Sequence, residues 1–120
     1  MYHVELEGDY HVLTLTGQIT IQNSQQLKSL FMDLDASRDL VIDASTLEYI
    51  DSSGVACMII AYKKLTTAGK SLKLRNPTDA LMSVLKILKF ESLFTIEQWS
   101  RRKYLSIWHQ LSPKINTIKR

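Results

Sequence analysis

The stretch Asp51-Ser52-Ser53-Gly54 decides how this chain divides into strands and helices. It follows the apolar run at residues 40–42, which is typical of a buried central strand, and precedes the helically spaced residues 55–67. A hydroxyl at such a junction lies at a helix N-terminus, where unpaired N–H groups and the helix dipole stabilise negative charge. The stretch therefore predicts an α/β protein with serine hydroxyls placed where a phosphate group is tolerated.

A β-hairpin is predicted before this junction. Residues 2–6 and 11–16 are strand-like, and the second run alternates regularly between apolar and threonine side chains. Residues 7–9 between them, Glu-Gly-Asp, suit a tight turn. Gly17 interrupts the alternation, so we expect the second strand to end there.

Three amphipathic helices are predicted among the strands. Asn23 or Ser24 is placed to cap the first helix, Gly69 to end the second, and Asn76-Pro77 to begin the third. The apolar stripes of the three helices are Leu27, Leu30, Phe31 and Leu34; Val55, Met58, Ile59, Tyr62 and Leu65; and Leu81, Val84, Leu85 and Leu88. Further strands are expected over residues 71–75 and 93–96. This order predicts a mixed sheet, mostly parallel beyond the hairpin, packed with helices.

Size and cysteine content indicate a single cytoplasmic domain. A chain of 120 residues is long enough for one core, and its only cysteine, Cys57, allows no disulfide framework. Residues 1–5 do not begin a signal peptide, and the longest apolar run, residues 55–62, is too short to span a bilayer. We expect a domain over residues 1–97 and a separate C-terminal segment.

That segment, residues 98–120, is predicted to be a basic and aromatic helix followed by a tail. Residues 97–120 hold six basic side chains against the single carboxylate of Glu97. An apolar face with helical spacing is interrupted by Pro113; its members are Tyr104, Trp108, Leu111 and Ile115. We expect this face to pack on the domain, the alternative being a helix offered to a partner or to an anionic membrane. Because the excess of basic over acidic residues lies in this segment and not in the domain, the pI does not indicate nucleic-acid binding.

The chain carries no pattern typical of an enzyme or a metal site. His3, His11 and His109 lack ligand spacing, and neither a Gly-x-Ser-x-Gly elbow nor a glycine-rich phosphate loop is present. Cys57 is expected to be a small packing residue rather than a redox sensor. No cofactor is expected.

Several motifs in sequence order resemble the STAS domain, and more narrowly bacterial anti-sigma factor antagonists. These motifs are Leu15-Thr16-Gly17, Val41-Ile42-Asp43 and residues 47–55, which run Leu-Glu-Tyr-Ile-Asp-Ser-Ser-Gly-Val. The resemblance covers residues 2–97 and agrees with the predicted element order. It implies the STAS fold, and a regulator that acts by binding rather than by catalysis.

In such antagonists, a serine directly after the aspartate is phosphorylated, which by position is Ser52, with Ser53 as the second candidate. The resemblance implies that the unphosphorylated protein binds a serine kinase that is also an anti-sigma factor, of the histidine-kinase-like ATPase type, and frees its target. A serine phosphatase resets the switch. We expect a monomer when free, with a partner-binding surface formed by Gln18, Thr20, Asp51, Ser52, Ser53, Gly54 and Val55.

One departure leaves a second function open. Antagonists of this type carry an acidic pair in the loop after the glycine of the second strand, where this chain has Gln18 and Thr20. The STAS family also includes modules of anion transporters and of lipid-transport complexes. A subunit of a membrane transport complex is therefore the alternative, with Ser52 then serving only as a helix cap.

Overall fold

The computed structural model describes residues 2–98, which form five strands and three helices. Their bounds are β1 Tyr2–Glu7, β2 Tyr10–Ile19, α1 Ser24–Met32, β3 Asp39–Ile50, α2 Ser52–Thr67, β4 Leu72–Arg75, α3 Asp79–Ile87 and β5 Thr95–Glu97. The predicted element order is confirmed up to β5. The aromatic stripe and the basic cluster expected in the C-terminal segment lie outside the described residues.

All five strands form one mixed sheet in the order β1-β2-β3-β4-β5. β1 is antiparallel to β2, and each later strand is parallel to its neighbour, as predicted. The register places Leu13 of β2 beside Ile42 of β3, and Ile42 beside Leu74 of β4. This apolar row lies on the face of the sheet that the helices cover, and it belongs to the hydrophobic core.

The two central strands are longer than predicted. β2 does not end at Gly17 but continues to Ile19. Gly17 adopts a φ of +71°, and the register between β2 and β3 shifts next to it. Glycine takes this left-handed conformation without steric cost, so the irregularity bends the strand rather than ending it. β3 likewise runs to Ile50 instead of ending at Ile42, so no loop separates it from Asp51.

The core is built from the inward-facing side chains of the strands and the predicted helix stripes. Phe31, Met58, Leu65 and Leu81 are completely buried, and Tyr62 of α2 packs edge-to-face on Phe94 with ring centroids 5.8 Å apart. This burial fixes the position of α2 on the sheet.

One predicted helix boundary is confirmed by the structure and another is wrong. Gly69 ends α2 as expected, with a φ of +75° and a hydrogen bond from the Lys70 N–H to the Leu65 carbonyl at 2.8 Å. α3, however, is capped by the Thr78 hydroxyl, which accepts from the Leu81 N–H at 3.3 Å. Asn76 has a φ of +48°, so the chain turns at Asn76-Pro77 and the helix begins after it.

A polar cluster lies on the opposite face of the sheet. Arg75 is buried, with its Nε 3.5 Å from Glu97 Oε1 and an Nη 3.9 Å from Glu7 Oε2. The Tyr10 hydroxyl donates to Glu7 at 3.0 Å. Burial, followed by this hydrogen bond, raises the pKa of Tyr10. The cluster joins the two edge strands β1 and β5 to the middle of the sheet.

Candidate functional site at the N-terminus of α2

Asp51, not a serine, caps α2. Its backbone is extended, and its Oδ1 accepts from the N–H groups of Ser53 at 2.9 Å and Gly54 at 3.3 Å. The Ser53 hydroxyl donates to the same oxygen. The alternative role of Ser52 as the helix cap is therefore wrong, because Asp51, one residue earlier, already accepts from the N–H groups of Ser53 and Gly54.

This arrangement separates the two serines. The Ser53 hydroxyl is engaged with Asp51 and its side chain is half-buried, whereas Ser52, the first residue of α2, is exposed. Of the two serines, Ser52 is thus the one exposed to solvent. It also lies in the first turn of a helix of 16 residues, where added negative charge is stabilised.

The same carboxylate joins α2 to the loop after β2. Asp51 Oδ2 accepts from the Ile21 N–H at 3.0 Å, and the Asp51 N–H donates to the Ile19 carbonyl at 3.1 Å. The Ser53 hydroxyl, together with the N–H groups of Ile21 and Gly54, lowers the pKa of Asp51. Asp51 is therefore an ionised anchor between two segments that are 30 residues apart in the chain.

Gly54 brings the first turn of α2 into contact with the strand ends. A Cβ at this position would lie 2.6 Å from Ile50 Cγ1 and 2.8 Å from Ile19 Cγ2, which is inside the closest normal approach. The first turn of α2 therefore packs directly against the ends of β2 and β3. This packing fixes the position of Ser52 and Ser53 relative to the sheet.

Gln18 is the last but one residue of β2, and Thr20 begins the loop that Asp51 holds. Asn23, placed at the N-cap of α1, does not bond to the N–H groups of that helix. Its amide instead donates to the Gln18 carbonyl at 2.8 Å and accepts from the Thr20 N–H at 2.9 Å. The Thr20 hydroxyl accepts from the Gln22 N–H at 3.3 Å. The side chain of Gln18 is exposed, whereas that of Thr20 is half-buried and used within the loop.

Two residues near the site are placed differently from expectation. Val55, predicted to touch a partner, is completely buried, so its side chain belongs to the core. Ile21, which the sequence reasoning did not select, is 74% exposed beside Asp51. The sequence does contain an indication of this exposure, because Ile21 is an apolar residue that lies outside the apolar stripe of α1.

Cys57 has the packing role predicted for it. The side chain is 3% exposed, and its thiol lies 3.5 Å from the Ser24 carbonyl of α1. Burial raises the pKa of the Cys57 thiol, which disfavours the reactive thiolate.

Within residues 2–98, no group of histidine, cysteine and carboxylate side chains is arranged to hold a metal ion. In the same part of the chain, no helix is both long enough and apolar enough to span a membrane.

Comparison with known proteins identifies the class of protein. The family model described as "Mlab, STAS domain" matches residues 2–95, which is most of the chain. The protein therefore belongs to the STAS domain family, as its motifs predicted.

Solved structures agree with this assignment. An anti-sigma factor antagonist from Mycobacterium paratuberculosis is 20% identical, with a TM-score of 0.72 over 89% of this chain and 92% of that one. SpoIIAA in its unphosphorylated form is 15% identical, with a TM-score of 0.68 over 92% of this chain and 97% of that one. The Bacillus SpoIIAA in its phosphorylated form is 14% identical, with a TM-score of 0.65 over 88% and 97%. The chain thus has the fold of anti-sigma factor antagonists.

Proposed function

We propose that this protein is a regulatory binding protein of the anti-sigma factor antagonist type, switched by phosphorylation of Ser52. Unphosphorylated, it binds a serine kinase of the histidine-kinase-like ATPase type that also restrains a second target, and that target is released. A serine phosphatase restores the binding form. The observation that carries the proposal is the exposed Ser52 on the first turn of α2, beside the Asp51 cap.

The charge balance at Ser52 explains how one phosphate can act as a switch. A phosphoserine adds about −1.5 to −2 charges and three acceptor oxygens. The helix N-terminus stabilises this charge, while the ionised Asp51 carboxylate next to it repels it. Because Asp51 and Gly54 hold the site rigidly on the sheet, the fold changes little. A partner that covers Ser52 must instead desolvate the phosphate beside Asp51, at a cost of several kcal/mol.

Relatives with the same fold support this mechanism. SpoIIAA has been solved in both an unphosphorylated and a phosphorylated form, and both are similar to this chain over most of its length. A protein of this architecture therefore tolerates a phosphate without losing its fold.

Phosphorylation is tested by incubating the purified chain with ATP and an extract of its own organism, then locating phosphate by fragment mass spectrometry. We expect one phosphate on Ser52 in the wild type and in the matched Ser53→Ala control, and none in Ser52→Ala. Phosphate on Ser53, or equal labelling of both alanine variants, would contradict the proposal.

Partner switching is tested by using the wild type, Ser52→Ala and Ser52→Asp as parallel baits in the same extract. We expect an ATP-binding serine kinase to bind the first two proteins and to be lost with Ser52→Asp. Ser83→Asp, which adds the same charge at an exposed position of α3, is the control and should keep the kinase. If the wild type, Ser52→Ala and Ser52→Asp capture the same proteins, Ser52 is not a switch.

A subunit of a membrane transport complex is the second candidate function. It is favoured by the loop next to Ser52, where the uncharged Gln18 and Thr20 stand in place of the acidic pair of antagonists. The same pull-down distinguishes the two functions, because this candidate predicts that transporter ATPase or permease subunits bind equally to the wild type and to Ser52→Asp.

A further inference from the structure

The outer edge of β1 is unpaired in the part of the chain that the structure describes. All six residues of β1 are exposed, and within residues 2–98 this strand pairs with β2 alone. On the helix-covered side, Tyr2, Val4 and Leu6 are 38%, 44% and 58% exposed. An exposed, apolar edge strand is a template for pairing with another strand.

The apolar surface extends beyond the strand itself. A cavity of about 170 Å³ opens between β1, β2 and α1, and its lining includes Val4, Leu30 and Leu34. The lining also holds the polar residues His11, Asp33 and Asp35. The edge therefore combines unpaired backbone groups with exposed apolar side chains and a mainly apolar cavity, a combination that marks interaction sites.

In place of the monomer expected from the sequence, we propose that the occupant of this edge is β1 of a second copy of the chain, paired antiparallel about a two-fold axis to give a ten-stranded sheet. A two-fold axis brings identical patches together, which makes the contact closed and self-complementary. The contact leaves the N-terminus of α2 free, so the proposal is independent of the switch at Ser52.

The side chains of β1 select one register for this pairing. Centring the axis on Val4 places Tyr2 opposite Leu6, and His3 opposite Glu5, of the second copy. Apolar side chains then meet on the helix-covered side, while on the other side each imidazole can donate a hydrogen bond to a carboxylate. Within one chain, His3 Nε2 already lies 3.5 Å from Glu5 Oε1, so the two side chains extend toward the same region. Centring the axis on Glu5 would instead oppose two carboxylates.

The dimer is tested by sedimentation equilibrium on the full chain, with no added N-terminal residues, from micromolar to near-millimolar concentration. We expect a monomer–dimer equilibrium for the wild type. His3→Glu opposes carboxylates at both symmetry-related pairs, and we expect dimerisation to weaken on the order of tenfold or more. The charge-swapped double variant, His3→Glu with Glu5→Lys, restores opposite charges in this register and should recover the dimer.

Two further variants distinguish this surface from other contacts. Val4→Glu places two carboxylates against each other on the axis and should give a monomer. Ile87→Glu, at a 78% exposed position of α3, should dimerise like the wild type. Circular dichroism confirms that each variant is folded.

A wild type that stays monomeric at near-millimolar concentration would overturn the proposal and leave the edge to a different protein. If Val4→Glu still dimerises, the proposed register of β1 is wrong. The register is also wrong if the double variant His3→Glu with Glu5→Lys fails to recover the dimer.

Discussion

Replacing Gly54 with alanine tests whether α2 rests directly on the strand ends. The new methyl would lie 2.6 Å from Ile50 Cγ1 and 2.8 Å from Ile19 Cγ2, whereas carbon atoms prefer separations of about 3.5–4.0 Å. Ile19 is completely buried and Ile50 is 1% exposed, so neither side chain can move aside into solvent. The helix and the strands must therefore separate by roughly 1 Å.

The free energy of unfolding should fall as a result. Overpacking of a core costs about 1–3 kcal/mol. Alanine gains back up to about 1 kcal/mol over glycine inside a helix, and less in its first turn. We expect Gly54→Ala to destabilise the protein by about 1–2 kcal/mol, measured by urea unfolding followed by circular dichroism.

A double-mutant cycle isolates the contact. Ile50→Ala removes both side-chain atoms of Ile50 that the new methyl meets, so Gly54→Ala should cost less in that background than in the wild type. If Gly54→Ala instead raises the free energy of unfolding, as it would at an open helical position, the close contact of helix and strand is refuted.

Three other predictions concern the groups that hold the site and the sheet. Asp51→Asn keeps a cap but loses the charge, and we expect it to destabilise the protein by about 1 kcal/mol at neutral pH. Because folding lowers the pKa of Asp51, this stabilisation is complete above the unfolded pKa and is lost as pH falls through the folded value. Urea unfolding of both proteins at pH values on either side of about 4 should thus show their difference disappear in acid; a constant difference would contradict the argument. Glu97→Gln removes the carboxylate nearest the buried Arg75, and after allowance for solvent screening we expect a loss of about 1–2 kcal/mol in thermal or urea unfolding, an unchanged midpoint being the contrary result. The Cys57 thiol, buried and with a raised pKa, should react with a thiol reagent only as fast as the protein opens, so addition of urea should accelerate labelling steeply; rapid labelling of the native protein would contradict its burial.

The order and class of the elements could be read from the sequence because they depend on local patterns. The apolar stripes of the helices and the C-terminal glycine at position 69 required only residues close together in the chain. The STAS motifs identified the same junction that the structure places at the start of α2. The structure keeps these features because each helix packs on the sheet through its apolar stripe.

The details of the site depended on contacts that no local pattern contains. The cap moved from a serine to Asp51 because Asp51, Ser52 and Ser53 are all acceptable capping residues, and only the observed backbone decides among them. The bond from Ile21 to Asp51 joins residues 30 apart, so the position of Ile21 beside Asp51 could not be predicted from a local pattern. The burial of Val55 is set by the same packing of α2 on the strands.

The sheet order β1-β2-β3-β4-β5 has a consequence for how the chain folds. Among residues 2–98, every strand pairs only with strands adjacent to it in sequence, so no pairing within this range has to wait for a strand later in the order. The sheet can therefore grow outward in step with synthesis, each new strand adding to the edge left by the one before. Each addition closes only the intervening turn or helix-containing connection, which limits the entropic cost of loop closure.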